Sequence, residues 1–184
     1  PVPGCLVVGA DVSNSVAARC LPASKTPHPE KAFAIRGYYQ FNDPVRAATD
    51  TPVVVFDKSL LPGYLWIFPL NDGWANIGLG IDSHHMAKNN VNLKAMLNKV
   101  LPRVVESLPY GQLSNQPTIR GHFIPLGRAG NPISGNRILL AGDAASLAHP
   151  LTGEGIGNAI RGGLLAAAQA ISCFRQNKFD APFN

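Results

Sequence analysis

The stretch RILLAGDAASLAHPLTGEGIGNAI, residues 137–160, decides the fold, because it predicts a strand, a loop and a helix in succession. Its strand ends at Gly142 and Asp143, so a carboxylate stands at the carboxyl edge of a sheet, where α/β proteins bind ligands. The helix after it begins with glycines near Gly153, which leaves its first backbone N–H groups unshielded. Thr152 is the expected N-cap. Such a helix start suits an anion or a polarised carbonyl, and the spacing equally fits a plain capped helix with small packing residues.

The composition is that of a folded globular protein. The chain has 184 residues, 46% of them hydrophobic, with a formal net charge of +5 and a pI of about 9.3. The lysines and arginines are scattered, so no basic tract predicts a nucleic-acid partner. No signal peptide and no apolar run long enough to span a bilayer occur in the sequence. We expect a cytoplasmic protein whose basic surface allows peripheral membrane contact.

Cysteine and histidine usage predicts no metal site. Cys5, Cys20 and Cys173 are far apart and form no CxxC or Cys/His spacing, which favours reduced thiols in an intracellular protein. The adjacent His84 and His85 are interpreted as a polar turn, because neighbouring histidines on a strand point to opposite sides.

The hydrophobic pattern predicts a mixed α/β chain of the α+β type. Residues 33–82 alternate as strands of an antiparallel meander, with a hairpin turn at Asn71-Asp72-Gly73. The strand at 63–70 has two different faces. Tyr64, Trp66 and Phe68 share one face, and Leu65 and Ile67 share the other.

The remaining elements flank this sheet. A strand at 5–11 precedes a short helix capped by Ser13 or Ser15, and residues 22–31 form a loop. A helix at 91–101 precedes a proline-rich loop at 102–118, and two further strands follow at 121–127 and 137–143. The last helix, 153–176, has small residues for close packing on the sheet and one apolar row: Ile156, Ile160, Leu164, Ala167, Ile171 and Phe174.

Three stretches resemble motifs of one flavoprotein family. Residues 142–156 resemble the second FAD-binding motif of flavoproteins with the para-hydroxybenzoate hydroxylase fold. VVGADVSNSVAAR, residues 7–19, resembles their Gly-Ala-Asp-Gly motif, with Val12 in place of the last glycine. PGYLWIFPLNDGWANIGLG, residues 62–80, resembles the Tyr-x-Trp-x-Phe-Pro signature of the geranylgeranyl reductase family.

The resemblance implies two domains with separate roles. Residues 1–31 and 121–184 would form part of an FAD-binding domain, and residues 32–120 an inserted antiparallel-sheet domain that binds substrate. The implied contacts with non-covalent FAD come from Asp11, Arg19, Gly142, Asp143, Pro150, Gly153, Glu154, Gly155 and Ile156. The implied prenyl-binding residues are Tyr64, Trp66, Phe68 and Pro69, and the alternative interpretation of this aromatic face is ordinary sheet core.

The family reaction saturates isolated double bonds of a geranylgeranyl-type chain by hydride transfer from reduced flavin. Tyr64 is the candidate proton donor, and the implied reductant is NAD(P)H or ferredoxin. The substrate would be a prenyl-chain lipid or a prenyl diphosphate. Two alternatives remain open: an FAD-dependent monooxygenase or halogenase of the same fold, and a non-catalytic lipid-binding remnant.

One expected unit is missing from the sequence. The fold binds the ADP half of FAD through a βαβ unit with Gly-x-Gly-x-x-Gly, and no such fingerprint follows a strand here. We therefore expect a fragment that binds FAD weakly or not at all and is inactive by itself, and an active enzyme in the full-length form.

Overall fold

The computed structural model describes residues 6–22, 30–43, 51–109, 111–115, 117–128 and 130–179. It has the mixed α/β architecture that the sequence predicts. Contacts divide the chain into two compact units, residues 1–31 with 124–184, and residues 32–123. Cys5 and most of the loop predicted at 22–31 lie outside the described residues. None of the helices in the described ranges is both long and apolar enough to cross a membrane.

The second unit is built on a five-stranded sheet. Its strands are β2 (Lys31–Gln40), β3 (Val53–Val55), β4 (Gly63–Pro69), β5 (Trp74–Asp82) and β6 (Arg120–Pro125), in the order β3-β4-β5-β2-β6. The predicted hairpin turn is confirmed, because antiparallel β4 and β5 are joined at residues 71–73.

The prediction of a simple meander is wrong for β2. This strand pairs with β5 rather than with its sequence neighbour β3, in an antiparallel register from Ala32 opposite Asp82 to Gln40 opposite Trp74. The ten-residue β2 finds backbone partners along the whole of β5, whereas β3 has only three residues. Longer pairing satisfies more backbone N–H and C=O groups, which favours the observed order.

One face of this sheet is the hydrophobic core of the unit. Leu65 and Ile67 of β4 and the odd-numbered residues Ile77 and Leu79 of β5 are fully buried there. Helix α2 (Leu93–Glu106) covers this face with Leu93, Leu97, Val100, Leu101 and Val105.

Two local predictions in this unit are wrong. The predicted polar turn at His84 and His85 belongs to a short helix, α1 (Ser83–Lys88), where the Asp82 Oδ1 accepts a hydrogen bond from the His85 N–H at 2.7 Å. Helix α2 does not end before Pro102 but continues through it to Glu106. Burial of Val105 on the far side of the proline favours the continuation over the lost backbone hydrogen bond.

The first unit contains a three-stranded sheet. Strand β1 (Val7–Gly9) pairs in parallel with β8 (Ile138–Leu140), which pairs antiparallel with β7 (Ser134–Gly135). Strand β8 ends three residues earlier than predicted, because Gly142 has a φ of +59° and starts a 3-10 helix. The short helix predicted after β1 is a single 3-10 turn, Ala18–Cys20.

The long helix α3 (Ile156–Gln176) packs on this unit through small residues. A side chain at Gly162 would meet Leu147, and one at Gly142 would meet Ala159, so the helix approaches the strand end closely. Ala166 and Cys173 are its buried residues. The apolar row predicted on α3 is exposed instead: Ile156, Ile160, Leu164, Ala167, Ile171 and Phe174.

The turn after β1 has a left-handed residue that is not glycine. Val12, which replaces the glycine of the family motif, has a φ of +59° and a 63% exposed side chain. The backbone therefore adopts the conformation that favours glycine although the residue is β-branched. Such a conformation costs an L-residue about 1–2 kcal/mol.

Replacing Val12 with glycine should therefore stabilise the protein. We expect Val12→Gly to raise the free energy of unfolding by about 1 kcal/mol, because relief of the strained φ exceeds the added entropy of the unfolded chain. Chemical denaturation measures the change. Val16→Gly is the matched control, since Val16 is 62% exposed and has no positive φ; it should give no gain. An equal gain in both variants would contradict the assignment of strain to Val12.

Candidate functional site

A cavity of about 650 Å³ in the first unit brings Arg19 and Asp143 together. Its wall includes residues 13–15 of the loop after β1 and residues 143–146 of the 3-10 helix after β8. Neither the guanidinium of Arg19 nor the carboxylate of Asp143 makes a hydrogen bond or ion pair with another described residue. An acceptor and a cationic donor are thus both available to a ligand in this cavity.

Asp11 organises one wall of this cavity without lining it. Its carboxylate accepts hydrogen bonds from the Ser15 hydroxyl at 2.6 Å and from the backbone N–H of Val16 at 2.7 Å and of Ala17 at 3.3 Å. Ser15 in turn accepts from the Ala18 N–H at 2.8 Å. The N-cap of the 3-10 turn is Ala17, however, and not Ser13 or Ser15 as predicted. The Ser15 hydrogen bond, together with the backbone N–H groups, lowers the pKa of Asp11 below its ordinary value.

The loop between the 3-10 helix and α3 closes on itself around His149. The His149 N–H donates to the Glu154 carbonyl at 2.6 Å, and the Gly153 N–H donates to the His149 carbonyl at 2.8 Å. Gly153 has a φ of +67°, so the helix does not begin there as predicted. The Thr152 hydroxyl accepts from the Glu154 N–H at 3.3 Å and does not cap the helix.

Helix α3 begins at Ile156 with Gly155 as an N-cap that has no side-chain hydrogen bond. The Glu154 carboxylate accepts from the Gly157 N–H at 2.7 Å, which satisfies one of the first amides. The N–H groups of Ile156 and Asn158 have no acceptor among the residues described. This helix start can therefore donate hydrogen bonds to a negatively polarised group.

The structure does not gather all the expected cofactor residues around one cavity. Pro150 lines a neighbouring cavity of about 750 Å³, which shares Asn131, Leu140, Ala145 and Ser146 with the Asp143 cavity. Residues 153–156 line neither cavity. Sequence reasoning missed Asn131 and Ser146, because no local motif indicates which loop residues border both spaces. Across the described ranges, no group of three or more His, Cys, Asp or Glu residues is arranged to hold a metal ion.

In the second unit, the sheet face opposite the core carries a row of aromatic rings. The ring centroids of Tyr64 and Trp66 are 6.2 Å apart, and those of Trp66 and Phe68 are 6.1 Å apart. Phe56 extends the row, 5.6 Å from Tyr64. None of these four side chains belongs to the hydrophobic core cluster. We call this surface, formed by the even-numbered residues of β2, β4 and β5, the aromatic face.

Trp66 lies across the neighbouring strand. Its ring covers Gly78, directly opposite it in the register, where any side chain would collide with the indole. The indole Nε1 donates to the Asn76 Oδ1 at 2.9 Å. Gly80 is the next residue on this face. A Cβ atom added there would lie 3.7 Å from the Trp66 ring, which is an ordinary van der Waals contact. Strand alternation combined with the hairpin would have identified Asn76, Gly78 and Gly80 from the sequence.

Tyr64 is half-buried on this face. Burial raises the pKa of its phenol above the ordinary value of 10.0, so the hydroxyl is protonated at neutral pH. A protonated phenol can donate a proton but cannot act as a general base. The prenyl-binding assignment of Tyr64, Trp66, Phe68 and Pro69 stays a prediction.

Comparisons with known proteins agree with the motifs. Residues 38–113 match the family model of the geranylgeranyl reductase catalytic domain. A menaquinone reductase of Mycobacterium tuberculosis is 31% identical over 136 residues, which are 73% of this chain and 33% of the relative. A digeranylgeranylglycerophospholipid reductase of Thermoplasma volcanium is 33% identical over 122 residues, 66% of this chain and 30% of the relative. The chain spans about a third of the length of these curated relatives.

Solved structures support the same fold. A geranylgeranyl bacteriochlorophyll reductase-like protein of Thermoplasma acidophilum superposes with a TM-score of 0.74 and 25% identity, over 96% of this chain and 43% of that one. The flavin-dependent halogenase CmlS gives a TM-score of 0.70 at 21% identity, over 94% of this chain and 31% of that one, which shows the fold alone. The predicted resemblance to geranylgeranyl reductases is thus confirmed.

The packing of Trp66 on Gly78 predicts a difference between two glycines of one strand. Gly78→Ala should displace the indole, crowd the backbone carbonyl of Ile35 and lower the free energy of unfolding by about 1–3 kcal/mol, the usual cost of overpacking. Gly80→Ala is the matched control and should cost less, because its new methyl group finds ordinary contacts. Tryptophan fluorescence and chemical denaturation measure both effects. Equal stability of the two variants would show that Trp66 does not depend on Gly78.

The hydrogen bonds to Asp11 predict a pH dependence. Because the folded pKa is lowered, the ionised carboxylate stabilises the protein above the unfolded pKa, near 3.9, and this contribution is lost as pH falls through the lower folded value. The free energy of unfolding of wild type should exceed that of Asp11→Asn at pH 6–7, and this difference should shrink below about pH 4. Ser15→Ala, which removes the largest cause, should reduce the pH dependence. A wild-type advantage constant from pH 3 to 7 would contradict the mechanism.

Proposed function

We propose, from the membership of residues 38–113 in the geranylgeranyl reductase catalytic domain family, that the chain is part of an FAD-dependent reductase that saturates isolated double bonds of a prenyl chain. The single observation that carries the proposal is the aromatic face, which is separate from the core and carries a continuous row of aromatic rings. The full reaction belongs to the whole protein, since the matched residues make up only 33% of the relative from Mycobacterium tuberculosis.

The aromatic face suits a methyl-branched hydrocarbon. A prenyl chain offers no hydrogen-bonding group along its length, so its binding depends on apolar contact, worth about 0.8 kcal/mol for each buried CH₂ group. The rings of Tyr64, Trp66 and Phe68 provide this contact, and Gly80 adds no side chain that would lift the substrate from the sheet. Asn76 holds the indole in place through Nε1.

The chemistry of an isolated alkene defines what the protein must do. The double bond has no carbonyl that a side chain could polarise, so the residues must align it and exclude water. FAD, when bound and reduced in the full-length protein, would supply the hydride chemistry at one carbon of this bond. The phenol of Tyr64, which is protonated at neutral pH, is proposed to deliver the proton to the other carbon from its Oη.

The first unit has residues that fit part of FAD. The unpaired Asp143 carboxylate can accept hydrogen bonds from ribityl hydroxyls, and Arg19 in the same cavity can bind a phosphate. The N–H groups of Ile156 and Asn158 can stabilise negative charge on the pyrimidine edge of the flavin ring.

We propose NAD(P)H or ferredoxin as the source of electrons. Peripheral membrane contact is part of the proposal, since a prenyl lipid is delivered from a bilayer.

A second candidate function follows from the likeness to flavin-dependent halogenases. An oxygenase or halogenase of this fold consumes O₂, whereas the proposed reductase does not. Anaerobic turnover with reduced flavin separates the two. Prenyl binding that is indifferent to FAD, without turnover, would instead support the non-catalytic lipid-binding alternative.

The aromatic face is tested in the FAD-loaded full-length protein. With dithionite-reduced flavin and geranylgeranyl diphosphate under nitrogen, mass spectrometry should show a product that gains two hydrogen atoms for each saturated bond. Trp66→Leu should raise KM about tenfold, since it removes the central ring contact. Phe174→Leu, an exposed aromatic of α3, is the control and should leave KM unchanged. No saturated product from wild type would refute the proposed function.

The role of Tyr64 is tested by Tyr64→Phe, which keeps the ring and removes the hydroxyl. We expect kcat to fall about 100-fold or more with KM within twofold of wild type, because only proton delivery is lost. The solvent isotope effect on kcat should also change. A variant with wild-type kcat would exclude Tyr64 as the proton donor.

A further inference from the structure

We infer that Arg36 of β2 binds the phosphate-bearing head of the prenyl substrate, an inference that rests on the proposed reductase function. Arg36 belongs to none of the three motifs that carry the family resemblance. It would determine the orientation of the bound substrate, with the charged head at Arg36 and the prenyl chain along the rings.

The sheet register places Arg36 beside the aromatic row. Arg36 is directly opposite Gly78 on β5, and Gly78 is directly opposite Trp66 on β4. Residues opposite one another in antiparallel strands project from the same face, so Arg36 shares the face of Trp66. With neighbouring strands about 4.8 Å apart, the Cα atoms of Arg36 and Trp66 are roughly 10 Å apart.

Arg36 is the one cation on this face of the four strands β2, β3, β4 and β5, and the exposed Arg120 of β6 lies on the same face but farther from Trp66. The other basic residue in these four strands, Lys31, is odd-numbered and projects to the opposite side by strand alternation. The one acidic residue on the face, Asp82, lies opposite Ala32, four residues along the strand from Arg36. Its Oδ1 already accepts from the His85 N–H at 2.7 Å.

The guanidinium of Arg36 is held in place but not neutralised. Its Cζ lies 4.7 Å from the centroid of the Tyr38 ring, a cation–π contact that restricts the side chain. The side chain of Arg36 forms no hydrogen bond and no ion pair with any residue that the structure describes. The residue is half-buried. A partly desolvated, positioned cation without an anion is suited to receive one from a ligand.

Phosphate is the head chemistry that this arrangement favours. A guanidinium donates two parallel hydrogen bonds to a phosphate and pairs with its negative charge, whereas a neutral quinone oxygen offers one acceptor and no charge. The phosphate can come from a prenyl diphosphate or from a phospholipid, since both present phosphate oxygens next to an apolar chain. Arg36 would act in binding and not in the chemical step, so its loss should change Kd and KM more than kcat.

The experiment compares charged and neutral ligands in the FAD-loaded full-length protein. Tryptophan fluorescence titrations use geranylgeranyl diphosphate, digeranylgeranylglycerophosphate in detergent micelles, and the neutral geranylgeraniol. Wild type should bind at least one phosphate ligand about tenfold or more tightly than the alcohol. The ligand with the larger advantage identifies the source of the phosphate. Arg36→Gln should abolish that advantage while binding the alcohol within twofold of wild type, and Arg36→Lys should retain part of it.

Arg103→Gln is the matched control, because Arg103 is exposed on α2, the helix that covers the core face. It should keep the phosphate advantage. An unchanged advantage in Arg36→Gln, or equal affinity of wild type for charged and neutral ligands, would overturn the assignment of Arg36 while leaving the reductase proposal intact. Failure of wild type to bind any of the three ligands would overturn both. Thermal unfolding of each variant separates loss of binding from loss of fold.

Discussion

The contact of the Trp66 indole with Gly78 is the constraint on which the second unit depends. The ring can cover β5 only because the residue directly opposite has no side chain, and the Asn76 amide then fixes its orientation. Leu65 and Ile67 project into the core from the same strand at the same time. One register between β4 and β5 therefore builds the interior of the unit and the surface proposed to bind substrate.

The first unit is organised by backbone conformation and not by large side chains. Positive φ values at Val12 and Gly142 turn the chain shortly after β1 and β8, and a third, at Gly153, lies in the loop before α3. Helix α3 can approach the strand end because small residues face it. The carboxylate of Asp143 and the guanidinium of Arg19 line one cavity of this unit, whereas the free amides of Ile156 and Asn158 do not line it.

The sequence predicts best the parts of the fold whose signals are local. Strand β5 has the predicted bounds, and β4 ends one residue earlier, because strict alternation and the Asn-Asp-Gly turn specify both. The pairing of β2 with β5 and the passage of α2 through Pro102 depend on long-range contacts that no short pattern contains. For the same reason motifs indicated Asp143 and Trp66, whereas Arg36 became visible only through the cross-strand register.

The alternation of core and surface side chains along β4 also affects which substitutions this protein can accept during evolution. Odd-numbered positions carry the core, so substitutions there are limited by stability, whereas Tyr64 and Phe68 project away from it and can vary in size with little effect on folding. A new substrate preference can therefore evolve one residue at a time on this strand. An insertion or deletion of a single residue within β4 would exchange the two faces and lose both properties at once.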